Sequence, residues 1–297
     1  MKFDVVTFGS AVIDIFVDTD VSERENFISY PVGAKILIKN LRFDIGGGGT
    51  NTAVAFSRLG LTTGYIGKLG DDEAGRKILS LLKKEKVKFL GKVEKNATTG
   101  HSIILDSKEN NRTILTYKGV NEELGLSEIK KFNTQWLYCS SFVGKSFETQ
   151  KKLIKILKER GVKIAFNPSS YLIEKKNLKP ILKFCDILVL NKEEAEMLAN
   201  GKNVLVSLHK LGAKIVVVTN KNKKISCYDG NKKYFLKPHN IRVVERTGAG
   251  DAFAAGFVAG QIVGKTINES LKLGLKESES VIKYFGAKNN LLKMKLK

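Results

Sequence analysis

The strongest constraint on the fold is an alternation that runs along most of the chain: short β-branched runs followed by segments of helical period. "FDVVTFGSAVID" precedes "TNTAVAFSRLG", "TTGYIGKLG" precedes "DEAGRKILSLLKKE", "TQWLYCSS" precedes "ETQKKLIKILKERG", and "DILVLN" precedes "KEEAEMLAN", before "AKIVVVTN" closes the series. Strand, helix and strand at this spacing require crossover connections, so the expected fold is α/β, a doubly wound, mostly parallel sheet with helices on both faces. In such sheets ligands gather at the carboxyl ends of the strands. The 297 residues suit a single domain, residues 1–297. Two stretches, about 15–45 and 97–119, read as strands with polar turns and no helix between them, which predicts a small β-sheet beside the main one, placed as a lid. The tract "TNKNKKISCYDGNKKYFLKP" predicts a hairpin at a sheet edge, blunted by its lysines.

Charge is the next question, because Lys and Arg outnumber Asp and Glu by 51 to 30, a formal net charge of +21. Such a balance invites a polyanionic partner. The lysines are spread over nearly every helical segment and form no single stripe or tail, so they read as solvated helix faces and nucleic acid is not expected. The same positive field attracts phosphorylated small molecules. Cys139, Cys185 and Cys227 lie far apart in apolar runs, which fits buried thiols in a reducing compartment. His101, His209 and His239 have no ligand spacing, and Trp136 opens an apolar strand and reads as core. The first residues read as a strand and no apolar run reaches bilayer-spanning length, so no membrane partner and a cytoplasmic location are expected.

Three motifs carry candidate chemistry. In "VVERTGAGDAFAAGF", Gly248, Ala249 and Gly250 can offer bare backbone N–H groups to an anion at a helix start, and Asp251 can take a proton from a hydroxyl; equally, Asp251 is a good helix cap. In "DIGGGGTNTAVAFSRLG", Gly47 and Gly48 let a ligand approach the backbone and Asn51 offers a donor and an acceptor; the competing reading is a flexible turn. No G-K-[ST] follows these glycines, which excludes a Walker-type phosphate loop. In "LVLNKEEAEML", Asn191 and Glu194 can serve a magnesium and phosphate site or form a helix capping box with the same atoms. Asp14 is either an acceptor for a substrate hydroxyl or a turn former at the end of the first strand.

In order and spacing, "GGGGTN" with Gly60 and Gly70, "NKEE" and "TGAGDAFAAGF" resemble the ribokinase-like, PfkB-type family of carbohydrate and nucleoside kinases, and the similarity extends from "FGSAVID" to "VIKYFGA". The resemblance implies ATP as phosphoryl donor with Mg2+ as cofactor, Asp251 as the base that activates the acceptor hydroxyl, and Gly248, Ala249 and Gly250 as the anion hole. It implies that Asn191 and Glu194 organise nucleotide phosphates and, indirectly, the magnesium, that Thr219 touches the nucleotide, and that Asp14, Gly47, Gly48 and Asn51 hold the acceptor. The acceptor class it implies is a sugar or nucleoside, with a sugar phosphate, or a non-catalytic binding member of the fold, as alternatives. It also implies a homodimer joined through the lid. Three departures qualify it. Glu245-Arg246 stands where the family has Asp-Thr, which bears on the monovalent-cation site of many members and brings a guanidinium within reach of phosphate. Lys221 and Lys224 occupy the glycine positions of the turn after Thr219, where they alter nucleotide affinity or pair with phosphates. Ser140 and Ser141 stand where some sugar kinases carry an acid. Arg112, in the lid, is either an exposed turn residue or a contact for a phosphate on the acceptor.

Overall fold

The computed structural model describes residues 2–297 apart from 26, 110, 200 and 202. In chain order the main elements are β1 (Lys2–Phe8), β2 (Val12–Asp18), β3 (Asn40–Gly46), α1 (Gly48–Arg58), β4 (Thr63–Ile66), β5 (Lys68–Gly70), α2 (Glu73–Lys84), β6 (Lys88–Phe89), β7 (Lys92–Glu94), β8 (Gly100–Asp106) and β9 (Arg112–Tyr117). They continue with β10 (Asn133–Ser140), α3 (Gly144–Glu159), β11 (Lys163–Asn167), α4 (Ser170–Lys175), α5 (Lys179–Leu182), β12 (Ile187–Asn191), α6 (Lys192–Leu198) and α7 (Val204–Lys210). Last come β13 (Ile215–Thr219), β14 (Ile225–Tyr228), β15 (Lys233–Leu236), α8 (Ala249–Ile262) and α9 (Ile267–Val281).

Nine strands form one sheet in the order β15-β14-β13-β12-β11-β10-β1-β4-β6. The run from β13 to β6 is parallel, and β14 and β15 close one edge as the antiparallel hairpin expected there. Side chains alternate across it: Val6, Phe8, Leu137, Cys139, Ile164, Phe166, Leu188 and Leu190 pack with α3 to α7, whereas Val5, Trp136, Tyr138, Ala165, Ile187 and Val189 pack with α1, α8 and α9. Burial on both faces explains why the strands read as continuous apolar runs. Helix α8 is apolar all round because α1 and α9 enclose it; Gly256 meets Gly274 so closely that a Cβ on Gly256 would lie 2.8 Å from Gly274 Cα. From β1 the chain builds β4 and β6 on one side, then returns to lay β10 to β13 on the other. The strand order therefore reverses beside β1, and that reversal opens a crevice at the carboxyl ends.

The second sheet has the order β3-β2-β8-β9. Its strands begin at Val12, earlier than expected, and pairing is confined to 12–18, 40–46, 100–106 and 112–117. Between β2 and β3 the described residues form only an isolated bridge from Arg24 to Phe27, and Phe27, Val32 and Leu37 stay exposed, so their apolar side chains gain no packing that would hold a strand. Asp14 is thus not at the end of the first strand; it lies within β2, opposite Asp44 and Ser102. The pleat puts that polar row on one face. The next row, Ile15, Phe43, Ile103 and Leu115, falls on the other face, where Phe43, Ile103, Leu115 and Tyr117 are exposed.

Candidate active site

A cleft of about 390 Å³ opens at the carboxyl ends of the large sheet. Ser10 after β1, Ser140 and Ser141 at β10, Asn167 at β11, Leu190 and Asn191 at β12 and Thr219 at β13 line it, and Gly48, Gly250 and Asp251 face it from the starts of α1 and α8. The fold thus brings all three motifs to one place, although Asn51 and Asp251 are 200 residues apart.

Helix α8 begins at Gly248, whose φ of 80° is left-handed and whose missing Cβ would collide with Ala287. Asp251, in the first turn, makes no cap; its Oδ2 accepts a hydrogen bond from Asn51 Nδ2 at 2.7 Å. The Ala249 N–H turns back to the Arg246 carbonyl at 3.2 Å, so among the described residues the unpaired donors at this helix start include the Gly250 and Asp251 N–H groups rather than that of Ala249. The space beside Gly250 is open. Burial pushes the Asp251 carboxyl up, and the Asn51 hydrogen bond and the Lys288 charge oppose that shift.

The glycine run serves the same spot. Gly47 takes φ 93° at the turn into α1, a side chain on Gly46 would strike the Asp14 carboxylate, and one on Gly48 would crowd Ser140. Asn51 is buried and bound at both ends: Lys288 Nζ donates to its Oδ1 while its Nδ2 donates to Asp251. Lys288 Nζ also donates to the Ile45 carbonyl. Asp14 is buried and its carboxyl is pushed up to about 6, mainly by burial, with the Lys288 charge opposing and Asp44 and Asp251 reinforcing. Asp44 Oδ1 accepts from the Ile45 N–H at 2.8 Å, while its Oδ2 is buried with no partner. Asp44 and Lys288 were not singled out from the sequence, and neither stands in a local pattern that would have marked it.

At "NKEE" the capping box forms and leaves both side chains lining the cleft. Asn191 Oδ1 accepts from the Glu194 N–H at 2.8 Å and Glu194 Oε2 from the Asn191 N–H at 2.9 Å, a complete capping box, and both side chains still line the cleft. Burial pushes the Glu194 carboxyl up. Among the described residues no group of three His, Cys, Asp or Glu is arranged to hold a metal directly. With Asp251 held by Asn51, Glu194 is the other carboxylate lining the cleft, and a single such carboxylate suits a magnesium that keeps its waters and meets phosphate oxygens. Lys118 is the one cationic side chain among the described residues lining the cleft; burial lowers its pKa, Glu122 opposes that shift, and its Nζ lies 5.9 Å from the Tyr171 ring centroid. Thr219 lines the cleft at the end of β13, and the turn after it commits its lysines elsewhere: Lys221, at φ 48°, pairs with Glu193, and Lys224 stacks on Phe235.

The structure corrects the reading of Arg112. It begins strand β9 and donates Nη2 to Glu245 Oε1 and Nη1 to Thr247 Oγ1, both at 2.8 Å, tying the lid to the segment before α8. Glu245 Oε1 also takes the Arg246 and Thr247 N–H groups. The Arg246 side chain is exposed and has no such bond. Ser140 lines the cleft with an unpartnered, buried Oγ, whereas Ser141 Oγ accepts from the Ser169 N–H.

Comparison with known proteins places the fold and the family. The chain is 31% identical over 251 residues to an uncharacterized sugar kinase of Archaeoglobus fulgidus, covering 80% of this chain and 98% of that one. It is 28% identical to a ribokinase of Lactococcus lactis over 84% of this chain and 83% of that one. The fold superposes on the crystal structure of adenosine kinase from Sinorhizobium meliloti with a TM-score of 0.85 at 22% identity, covering 99% and 98% of the two chains. It superposes on Arabidopsis thaliana ribokinase complexed with ribose and ATP with a TM-score of 0.83 at 24% identity, covering 99% and 96%. A family model for pfkB family carbohydrate kinases matches residues 2–294, and the chain therefore belongs to that family of phosphotransferases.

Proposed function

We propose that this protein transfers the γ-phosphoryl group of ATP to a hydroxyl of a small sugar or nucleoside, with Asp251 as the base. The observation that carries the reading is the Asp251 carboxylate, oriented by Asn51 at the mouth of the cleft and adjoining the free N–H groups of the α8 start. An acceptor hydroxyl donates to Asp251 and loses its proton to it as the oxygen attacks phosphorus in line. The Gly250 and Asp251 N–H groups and the helix dipole stabilise charge on the transferring phosphoryl, as Gly248 shapes the turn that exposes them. Asn191 and Glu194 organise the nucleotide phosphates, with Thr219 beside them. Mg2+, when bound near Glu194, would neutralise phosphate charge.

Asp14, Gly47, Gly48 and Asn51 form the acceptor side, and the unpartnered Asp44 oxygen adds a hydroxyl acceptor there. The commitment of Arg112 to Glu245 and Thr247 favours an unphosphorylated acceptor, because it occupies the guanidinium a second phosphate would use. The same ion pair already supplies a cation at Glu245, which favours activity without a monovalent metal ion. The exposed apolar face of the lid, with Phe43, Leu115 and Tyr117, supports a homodimer joined through it. Three buried, unpaired cysteines fit a cytoplasmic location.

The test is turnover of ATP against ribose, fructose, adenosine, cytidine and sugar phosphates, in potassium and in tetramethylammonium salts. Preferential transfer to one unphosphorylated acceptor in both salts supports the reading. Transfer confined to sugar phosphates overturns the acceptor class, and no transfer to any acceptor overturns catalysis.

A further inference from the structure

Lys288 is a fully buried cation in a stretch, "FGAKNNLLKMKLK", that otherwise reads as a solvated basic tail. Taking an ammonium out of water is costly unless something compensates it. No carboxylate lies within ion-pair distance of its Nζ among the described residues; its hydrogen bonds go to the Ile45 carbonyl and Asn51 Oδ1. Charge balance comes from Asp44 on β3, Asp14 on β2 and Asp251 on α8, with Arg58 on α1 opposing.

The bond to Asn51 has a directional consequence. A carboxamide can present either end, and its two orientations exchange a donor for an acceptor. An ammonium only donates, so it holds the amide with Oδ1 toward Lys288, which leaves Nδ2 facing Asp251 Oδ2. With the amide reversed, an acceptor would face the carboxylate and a donor the ammonium, and both bonds would be lost.

We propose that Lys288 is a positioning residue for phosphoryl transfer: through Asn51 it fixes the orientation of the Asp251 carboxylate, and its charge keeps that buried carboxylate ionised and able to take the acceptor's proton. The inference rests on the assignment of Asp251 as the base. Burial raises the Asp251 carboxyl, and the two influences that bring it back, the Asn51 hydrogen bond and the Lys288 charge, are the two ends of this relay. Sequence could not have shown it, because Lys288 and Asn51 are 237 residues apart.

Two substitutions separate orientation from charge. Lys288→Gln keeps a donor toward Asn51 and removes the charge; Lys288→Met removes both. With the acceptor that turns over fastest in the panel above, both variants should move the acid limb of the kcat/KM profile toward neutral pH by about one pH unit or more. Lys288→Met should also lower kcat at its pH plateau about tenfold or more, and Lys288→Gln should not. Binding of a nonhydrolysable ATP analogue and the melting temperature establish folding. Asn51→Leu cuts the same link from the other side and should move the acid limb in the same direction; an unmoved acid limb in it would overturn the relay even if neither Lys288 variant folds. Titration of the Asp251 carboxyl carbon by NMR, assigned by its loss in Asp251→Asn, reads the shift without any acceptor. An acid limb, carboxyl titration and kcat unchanged in folded Lys288 variants would overturn the proposal. Turnover retained in Asp251→Asn would instead overturn the base assignment, so the two failures are distinguishable.

Discussion

Replacing Arg112 with Met should loosen the lid and be felt in acceptor binding before nucleotide binding. Arg112 makes two charge-assisted hydrogen bonds at 2.8 Å, to Glu245 and Thr247, with side-chain exposures of 28% for Arg112 and 11% for Glu245. Exposed ion pairs are worth at most about 1 kcal/mol. Breaking a buried one costs about 3–5 kcal/mol. A half-buried pair that retains the Thr247 N–H on its carboxylate falls between, so the coupling energy in an Arg112→Met, Glu245→Gln double-mutant cycle should be about 1–2 kcal/mol. Since 1.4 kcal/mol is tenfold in an equilibrium, KM for the acceptor should rise about tenfold in Arg112→Met, with a smaller change in KM for ATP. The pH sign follows from Glu245. Burial pushes its carboxyl up, but the Thr247 N–H and the Arg112 guanidinium outweigh that and hold it below the usual range. Its contribution is therefore fully present above the unfolded value of about 4.3 and is lost as pH falls through the lower folded value. Urea unfolding at pH 7 and pH 3 across the four proteins measures the coupling, and steady-state kinetics measures KM. A coupling below about 0.3 kcal/mol at pH 7, or an unchanged acceptor KM, would refute the claim that this pair pins the lid.

Other substitutions separate stability from function. Gly250→Ala adds a methyl where nothing lies within 4 Å and removes a helical glycine, so urea unfolding should give equal or up to about 1 kcal/mol higher stability, while calorimetry shows ATP affinity falling about tenfold. Lys118→Met removes the cleft's one described cation; if that ammonium meets the terminal phosphate, affinity for a nonhydrolysable ATP analogue should drop about tenfold more than affinity for ADP, and equal losses would refute it. The Asp14 carboxyl is raised to about 6, so the unfavourable cost of its charge is absent below about 3.9 and complete above about 6. Asp14→Asn should therefore be more stable than the parent at pH 8 by about 1–3 kcal/mol, by urea unfolding, and should lose acceptor binding.

The parallel sheet and its crevice were legible because both depend on local pattern: apolar runs buried on two faces, with a helix after each. The edge hairpin was legible for the same reason. The glycine run, Asn191 with Glu194, and Asp251 were legible as residue types at fixed offsets, although only the fold shows that Asp251 leaves the capping role to Gly248 and meets Asn51. The residues missed are those whose meaning comes from long-range register. Arg112 faces Glu245 only once β9 has paired with β8 and the lid lies against the segment before α8. Asp44 comes beside Asp14 only through the pairing of β3 with β2. Lys288 is one cation among 51, and nothing in its neighbours distinguishes burial from exposure. The described residues between β2 and β3 misled for the converse reason: Val32, Leu37 and Ile38 stay exposed, and β propensity with nothing packed against it yields no strand.

In the proposed reaction Asp251 removes the proton from the acceptor while the start of α8 holds the phosphoryl group. Its most direct measurement is turnover and ATP-analogue affinity of Asp251→Asn beside the parent protein. The expected result is a fall in kcat of about a hundredfold to ten-thousandfold, with nucleotide affinity within about threefold. A variant that turns over within tenfold of the parent would contradict it.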